Sequence, residues 1–293
     1  MKDYVMGDGW ISDDSSFFGD EDEKERLLSL CDSFDTSAYW RKSKMADINS
    51  LLRPEQPAPD LHNIYKGRFD SWQMHETPED FVRRLPPLTT TVDVAPWIWV
   101  ANPHRDGQDR SGRAHVHDEL IPRGMQLLQA SMQHRASIRA STVPQGRAGV
   151  TRTLKQESEA LTQRITKLAE ETNVLSGKWM LFPSDQDLPR VWKAVVEGTI
   201  NNRLGSAAKV ATDQGNSGNR LICIYTKDFR DKQDVLRILQ ELERMGLVGR
   251  GRGIYYKTDV YTYLDIYGKN AEDYGLRASL YSSQNLLAAA NAH

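Results

Sequence analysis

Two small groups of lysine, tyrosine and aspartate stand at the ends of apolar runs late in the chain. Tyr225, Lys227 and Asp228 belong to LICIYTKD, and Lys257 and Asp259 to YYKTDVYT. If those run ends meet, they form a pocket rim of ammonium groups, carboxylates and phenols. Lys178 opens another apolar run, GKWMLF, and Arg203 lies on the loop NNRLGS. Lys209 in AAKVAT and Arg220 before LICIYT flank the turn-rich GNSGN. Arginine can grip a phosphate with two parallel bonds, whereas lysine acts as a point charge. The chemistry open to such a set is anion recognition. It extends to proton abstraction if a lysine is shifted towards neutral pH in a closed site. Against this, a Lys–Asp pair two residues apart is more often a surface salt bridge.

Trp72, Trp97 and Trp99 are candidates to stack a base. The competing reading is that strand aromatics fill the core or pair across strands. Trp179 and Trp192 lie on strongly patterned elements and are expected in the core. His104, His115, His117 and Asp118 look like metal ligands, but their polar, glycine-containing segment offers no rigid support for a metal site. No metal and no cofactor is expected.

The elements that must position these groups are legible between Gly177 and Tyr267. GKWMLF, AAKVAT, RLICIYT and GIYYK read as short strands, and VYTYLDIY closes the block. Leu188, Val191, Trp192, Val195 and Val196 form one face of a first helix, with Ser184 as its cap and Pro189 early in it. Val235, Ile238, Leu239, Leu242 and Met245 form the face of a second, from Asp231 to the stop at Gly246. Upstream, Thr77 caps a helix PEDFVRRL with Pro78 at its first position, and YKGRFDSW and VAPWIWVANP read as strands on either side. The alternation of the latter puts Trp97 and Trp99 on one face and Ile98 and Val100 on the other. A further helix is expected from about Thr153 to Leu175, on the stripe Leu161, Ile165, Leu168. Residues 104–150 read as a mobile basic insertion, interrupted by a short helix at GMQLLQASM.

The chain has 293 residues and a formal charge of -2, so any anion site must be a local patch rather than a global field. Cys31 and Cys223 lie far apart, and Cys223 reads as a buried free thiol. No run is apolar enough to span a membrane, and MKDYVMGDGWISDD lacks the apolar core of a signal peptide. The expectation is a protein of the cytosol or nucleus without a membrane partner. Residues 1–60 read as a partly disordered extension, with a short helix after the acidic cluster at 20–25 and a linker PEQPAPD. Residues 61–285 read as a single α+β domain, and 286–293 as a tail.

The segments GKWMLFPS, LGSAAKVAT, CIYTKDF, YYKTDVYTYLDIY and YGLRASLYSS resemble the family typified by the basophilic-leukaemia-expressed protein, with the fold of translation initiation factor 4E. The resemblance covers roughly residues 61–103 and 150–285. It implies a bent antiparallel sheet with helices on its convex face. It also implies that basic phosphate ligands come from the hairpin of Lys209 and Arg220; the residues themselves add Arg203, Lys178, Lys257, Asp259 and Tyr225 as further candidates. Cap binding in the initiation factor uses a tryptophan followed directly by glutamate, and no tryptophan here is followed by glutamate.

Three functions compete. The first is a pocket holding a nucleotide or RNA phosphate. The second is an enzyme resembling phosphothreonine lyases, with Lys209 or Lys257 as base, Arg203 or Arg220 on the phosphate, and Tyr225, Tyr261, His75 or His104 as acid. The third is a scaffold that binds a protein partner through its helices.

Overall fold

Alternation along six short strands builds one antiparallel sheet with two chemically different faces. The computed structural model describes residues 21–35, 61–104, 116–140, 147–213, 215, 218–248 and 253–291. The chain divides into two compact units, Met1–Pro59 and Asp60–His293. Within the first, helix α1 (Glu21–Ser33) takes in most of the acidic cluster, and Asp22 in its opening turn suits the positive end of the helix dipole.

In the second unit the strands are β1 (Trp97–Ala101), β2 (Gly177–Leu181), β3 (Ala207–Ala211), β4 (Ile222–Thr226), β5 (Tyr255–Thr258) and β6 (Tyr281–Ser282). Their order in the sheet is β1-β3-β4-β2-β5-β6, with β1 and β6 as the outermost strands. Every neighbouring pair is antiparallel. This is the α+β class read from the sequence. The register sets Val100, Ala208, Ile224, Trp179 and Tyr256 in one row across the sheet. That row belongs to the hydrophobic core, with Ile98, Val210, Ile222 and Leu181 beside it.

Helices α4 (Arg147–Glu171), α5 (Leu188–Ile200) and α6 (Lys232–Arg244) bring their apolar stripes to the same core. The Trp179 indole N–H donates to the Val235 carbonyl at 3.1 Å, which ties β2 to α6. Trp179 and Trp192 are fully buried. Each such side chain contributes about 1.5–3 kcal/mol or more of burial. The caps follow the sequence closely. Thr77 accepts from the Asp80 N–H at the start of α2 (Pro78–Arg84), and Asp231 accepts from the N–H groups of Gln233 and Asp234 at the start of α6. Helix α5 starts one turn later than the Ser184 cap implies: Ser184 closes a preceding turn and Asp187 takes the cap position.

Three expectations need correction. The insertion at 104–150 is largely helical where it is described. Helix α3 (Ile121–Ala140) follows a π-helical turn at Val116–Leu120, and α4 begins at Arg147 rather than near Thr153. The pattern is hard to read because the seam between α3 and α4 is polar. Glu157 is buried and accepts from Ser131 Oγ at 2.7 Å and Arg164 at 2.6 Å, and it meets His134 Nδ1 at 3.1 Å. Arg135 is buried too, donating to Ser158 Oγ and the Leu154 carbonyl. Second, YKGRFDSW forms turns, with Ser71 alone bridging Trp99. Asn63 and Gln73 side chains take up its backbone groups in place of a strand partner. Third, the segment after β5 is helix α7 (Asp259–Tyr263), capped by Thr258. The chain ends its described part in α8 (Ser283–Asn291). The linker at 54–60 and the loop at 105–115, with His115, lie outside the described residues. No helix among the described residues is long and apolar enough to cross a membrane.

Candidate functional site

The sheet face opposite the core gathers most of the residues whose chemistry the sequence points to. Register places Trp99, Lys209, Cys223, Met180 and Tyr255 in one row across β1, β3, β4, β2 and β5. The next row holds Ala101, Ala207, Tyr225, Lys178 and Lys257. Trp97 lies beyond Trp99 on β1, opposite Ala211. Trp97, Trp99, Lys209, Met180 and Tyr225 are half-buried and Tyr255 is 51% exposed, so water reaches parts of this face, whereas Cys223, Lys178 and Lys257 are buried.

Lys209 leans over the edge strand. Its Nζ lies 3.8 Å from the Trp97 ring centroid, 4.8 Å from Trp99 and 5.9 Å from Tyr225. The negative faces of these rings attract an ammonium. Trp99 stacks on Tyr225 with centroids 6.1 Å apart, and Tyr65 tilts against its other neighbour side at 5.5 Å. The Arg68 guanidinium, paired with Asp70, sits 5.8 Å from the Trp99 ring. Trp99 also packs against the small buried cluster of Tyr65, Ala101 and Ala207. Trp97 and Trp99 are the cradle of Lys209.

Lys178 is buried and ion-paired with Asp259, and it donates to Thr262 Oγ1 at 3.0 Å. Asp259 also accepts from Ser176 Oγ. Helix α7 explains the arrangement: its Thr258 cap turns the chain out of β5 and carries Asp259 back over β2. The Lys257–Asp259 pair suggested by adjacency is therefore replaced by Lys178–Asp259. Lys178 Nζ also lies 5.6 Å from the Tyr225 ring, so this phenol stands between Lys178 and Lys209. Burial pushes the Tyr225 hydroxyl far above its ordinary pKa, and so keeps it neutral.

Lys257 is the most perturbed amine. Burial, and then the positive charge of Lys178 beside it, lower its pKa from 10.5 to about 8, against the pull of Asp259 and Asp265. Its Nζ lies 3.6 Å from the Tyr267 ring centroid. Cys223, between these lysines, is a buried free thiol, and burial raises it to about 11.

Other candidates are placed elsewhere. Arg203 pairs with Glu241 of α6, on the helix side of the sheet. Arg220 lies outside β4 and donates to Asp213 Oδ1 at 2.7 Å, where Asp213 also anchors the backbone of Thr90 and Val92. Trp72 is 4% exposed within the core, and its indole N–H donates to the Glu76 carbonyl. It cannot stack a ligand from there. Arg203 thus pairs away from the lysine face, and Arg220 is engaged by Asp213. Tyr255 and Tyr267 are residues that sequence reasoning missed. The alternation of GIYYK places Tyr255 on the same face as Lys257, a signal present in the run itself.

A family model described as Basophilic leukemia-expressed protein Bles03 matches residues 27–265. Among solved structures, the chain is similar to one described as the complex of Ascaris suum eIF4E-3 with an m2,2,7G cap, at 21% identity and a TM-score of 0.26. That match covers 29% of this chain and 52% of the Ascaris chain, so the likeness spans about half of that protein. It is too slight to bear on function.

Proposed function

The chain belongs to the Bles03 family, and from that premise we propose that the open face of its sheet binds a nucleotide or the phosphates of RNA. The observation that supports this reading is half-buried Lys209 over Trp97 and Trp99, with Lys178 and Lys257 buried on the same side of the sheet. Indole faces attract an ammonium, and a phosphate bonds strongly to one. Tyr255, half-exposed in the same row, offers a π-face to a base. A cationic base is disfavoured, because Lys209 already occupies the indole faces that would stack it. The function needs no proton transfer, and the neutral Tyr225 is a floor rather than an acid.

A thermal-shift screen of the protein and of Lys209→Ala tests this. The panel holds cap analogues, unmodified nucleotides, short RNAs and phosphothreonine peptides. A ligand that binds the folded state raises the melting temperature as its excess over Kd grows. The reading expects shifts with unmodified nucleotides or RNA that disappear in Lys209→Ala. Shifts with phosphopeptides alone, or none with any nucleotide, reject it.

A further inference from the structure

Helices α3 and α4 run antiparallel. Their contacts step down α4 as they step up α3: Arg123 meets Glu171, Ser131 meets Glu157 and Arg135 meets Leu154. Beside that polar seam lies a groove of about 460 Å3. Its apolar lining is Leu127 and Ala130 of α3 and Leu168 of α4. Its charged lining is Arg123, Arg164, Lys167 and Glu171, three cations against one carboxylate. We propose that this groove docks an acidic amphipathic helix of a protein partner. The site shares no residue with the sheet face.

The cations of the groove can be reached. The side chains of Arg123, Arg164 and Lys167 are 48%, 42% and 76% exposed, whereas Lys178 and Lys257 of the sheet are buried. Arg123 and Lys167 share Glu171. Arg164 reaches Glu157, which Ser131 and His134 also engage. Ion pairs between exposed groups contribute about 0–1 kcal/mol, so a partner carboxylate joins these cations without a large loss. The positive surplus of the lining favours an acidic partner and repels a basic one.

Spacing favours a helix. Glu171, where Arg123 is held, lies seven residues from Arg164 along α4. At the rise of a helix that is about 10 Å. Two carboxylates seven residues apart on a partner helix repeat this distance, and the residues three and four after the first lie between them on the same face. An aliphatic residue there covers Leu127 and Leu168. Arg123, Leu127 and Ala130 follow one face of α3, and Arg164, Leu168 and Glu171 one face of α4. A third helix can therefore lie along both. A phosphate-bearing ligand meets the same cations but leaves the apolar lining uncovered.

The test is fluorescence anisotropy of a labelled alanine-rich peptide of about 16 residues, long enough to hold a helix, titrated with the full chain. The peptide carries Glu at positions i and i+7 and Leu at i+3 and i+4. One control peptide has Lys for both Glu, and a second has Ser for both Leu. The protein variants are Arg123→Glu, Lys167→Glu and Lys209→Gln, each checked for folding by circular dichroism. The parent is expected to bind the Glu–Leu peptide saturably and both controls more weakly by about fivefold or more. The same loss is expected in Arg123→Glu and Lys167→Glu, where an attraction becomes a repulsion, and no change in Lys209→Gln. No binding to the parent overturns the proposal, as does equal binding of either control peptide or equal binding by the folded charge-reversed variants. Loss of binding in Lys209→Gln would put the peptide on the sheet face and overturn it too. Displacement of the peptide by a short RNA would make the groove a general anion site and overturn the helix.

Discussion

Replacing Lys257 by methionine should make the protein more stable at neutral pH, although it deletes a group from the candidate site. Lys257 is 4% exposed, and its folded-state pKa is lowered from 10.5 to about 8. The unfolded chain therefore binds more protons than the folded chain between those values, and stability rises with pH across that window. Below pH 8 the charged amine costs the folded state up to about 3 kcal/mol by the free energy of such a pKa difference. Partial screening by water reduces this cost. Losing the contact with Tyr267 removes about 1 kcal/mol in the other direction. The net expectation for Lys257→Met is a gain of about 1–2 kcal/mol at pH 7. The gain should shrink from pH 8 upwards and vanish above about pH 10.5, where the native lysine becomes neutral in both states. Urea unfolding followed by tryptophan fluorescence at pH 7 and pH 10 reads it directly. A variant less stable than the parent at pH 7, or equally advantaged at both pH values, would refute a charge buried at a cost.

Other perturbations test the frame around the face. Glu157 is held below the ordinary glutamate range, because burial is outweighed by hydrogen bonds from Ser131, Arg164 and His134. Glu157→Gln should cost about 1–3 kcal/mol at pH 7 in chemical unfolding, and the difference should fade as pH drops below the usual glutamate pKa. Gly205→Ala would put a Cβ 1.7 Å from the Tyr225 carbonyl oxygen, so β3 and β4 must separate. A loss above about 3 kcal/mol, or no soluble protein, is expected from thermal denaturation, and a near-neutral result would contradict the close approach. In the folded protein a thiol reagent at pH 8 should modify Cys31, which is exposed, and spare Cys223, whose thiol is buried and raised to about 11. Rapid modification of both would mean that the face opens.

Much of this face is legible in the sequence because strand alternation is a local property. VAPWIWVANP separates Trp97 and Trp99 from Ile98 and Val100 without reference to any partner, and AAKVAT marks Lys209 as the one charge on its strand. What alternation cannot say is which strands are neighbours. Lys178 meets Tyr225 on one side and Lys257 on the other because β2 is inserted between β4 and β5, an order that no local run encodes. Asp259 was legible only as a companion of Lys257. Its pairing with Lys178 depends on Thr258 ending a strand and capping a helix at the same residue. Arg203 and Arg220 follow the same logic: their types suit phosphate, but Glu241 and Asp213 reach them first. Between α3 and α4, buried Ser131, Arg135 and Glu157 blur the apolar stripe by which a packed helix is recognised.

The central claim is that the lysine–aromatic face receives nucleotide phosphate, and calorimetric titration of a short single-stranded RNA tests it most directly. The parent protein and the Lys209→Gln, Lys257→Gln double variant would be measured side by side at low salt. Saturable binding to the parent is expected, lost or weakened at least tenfold in the folded double variant. Equal binding to both proteins, or none to the parent, would contradict it.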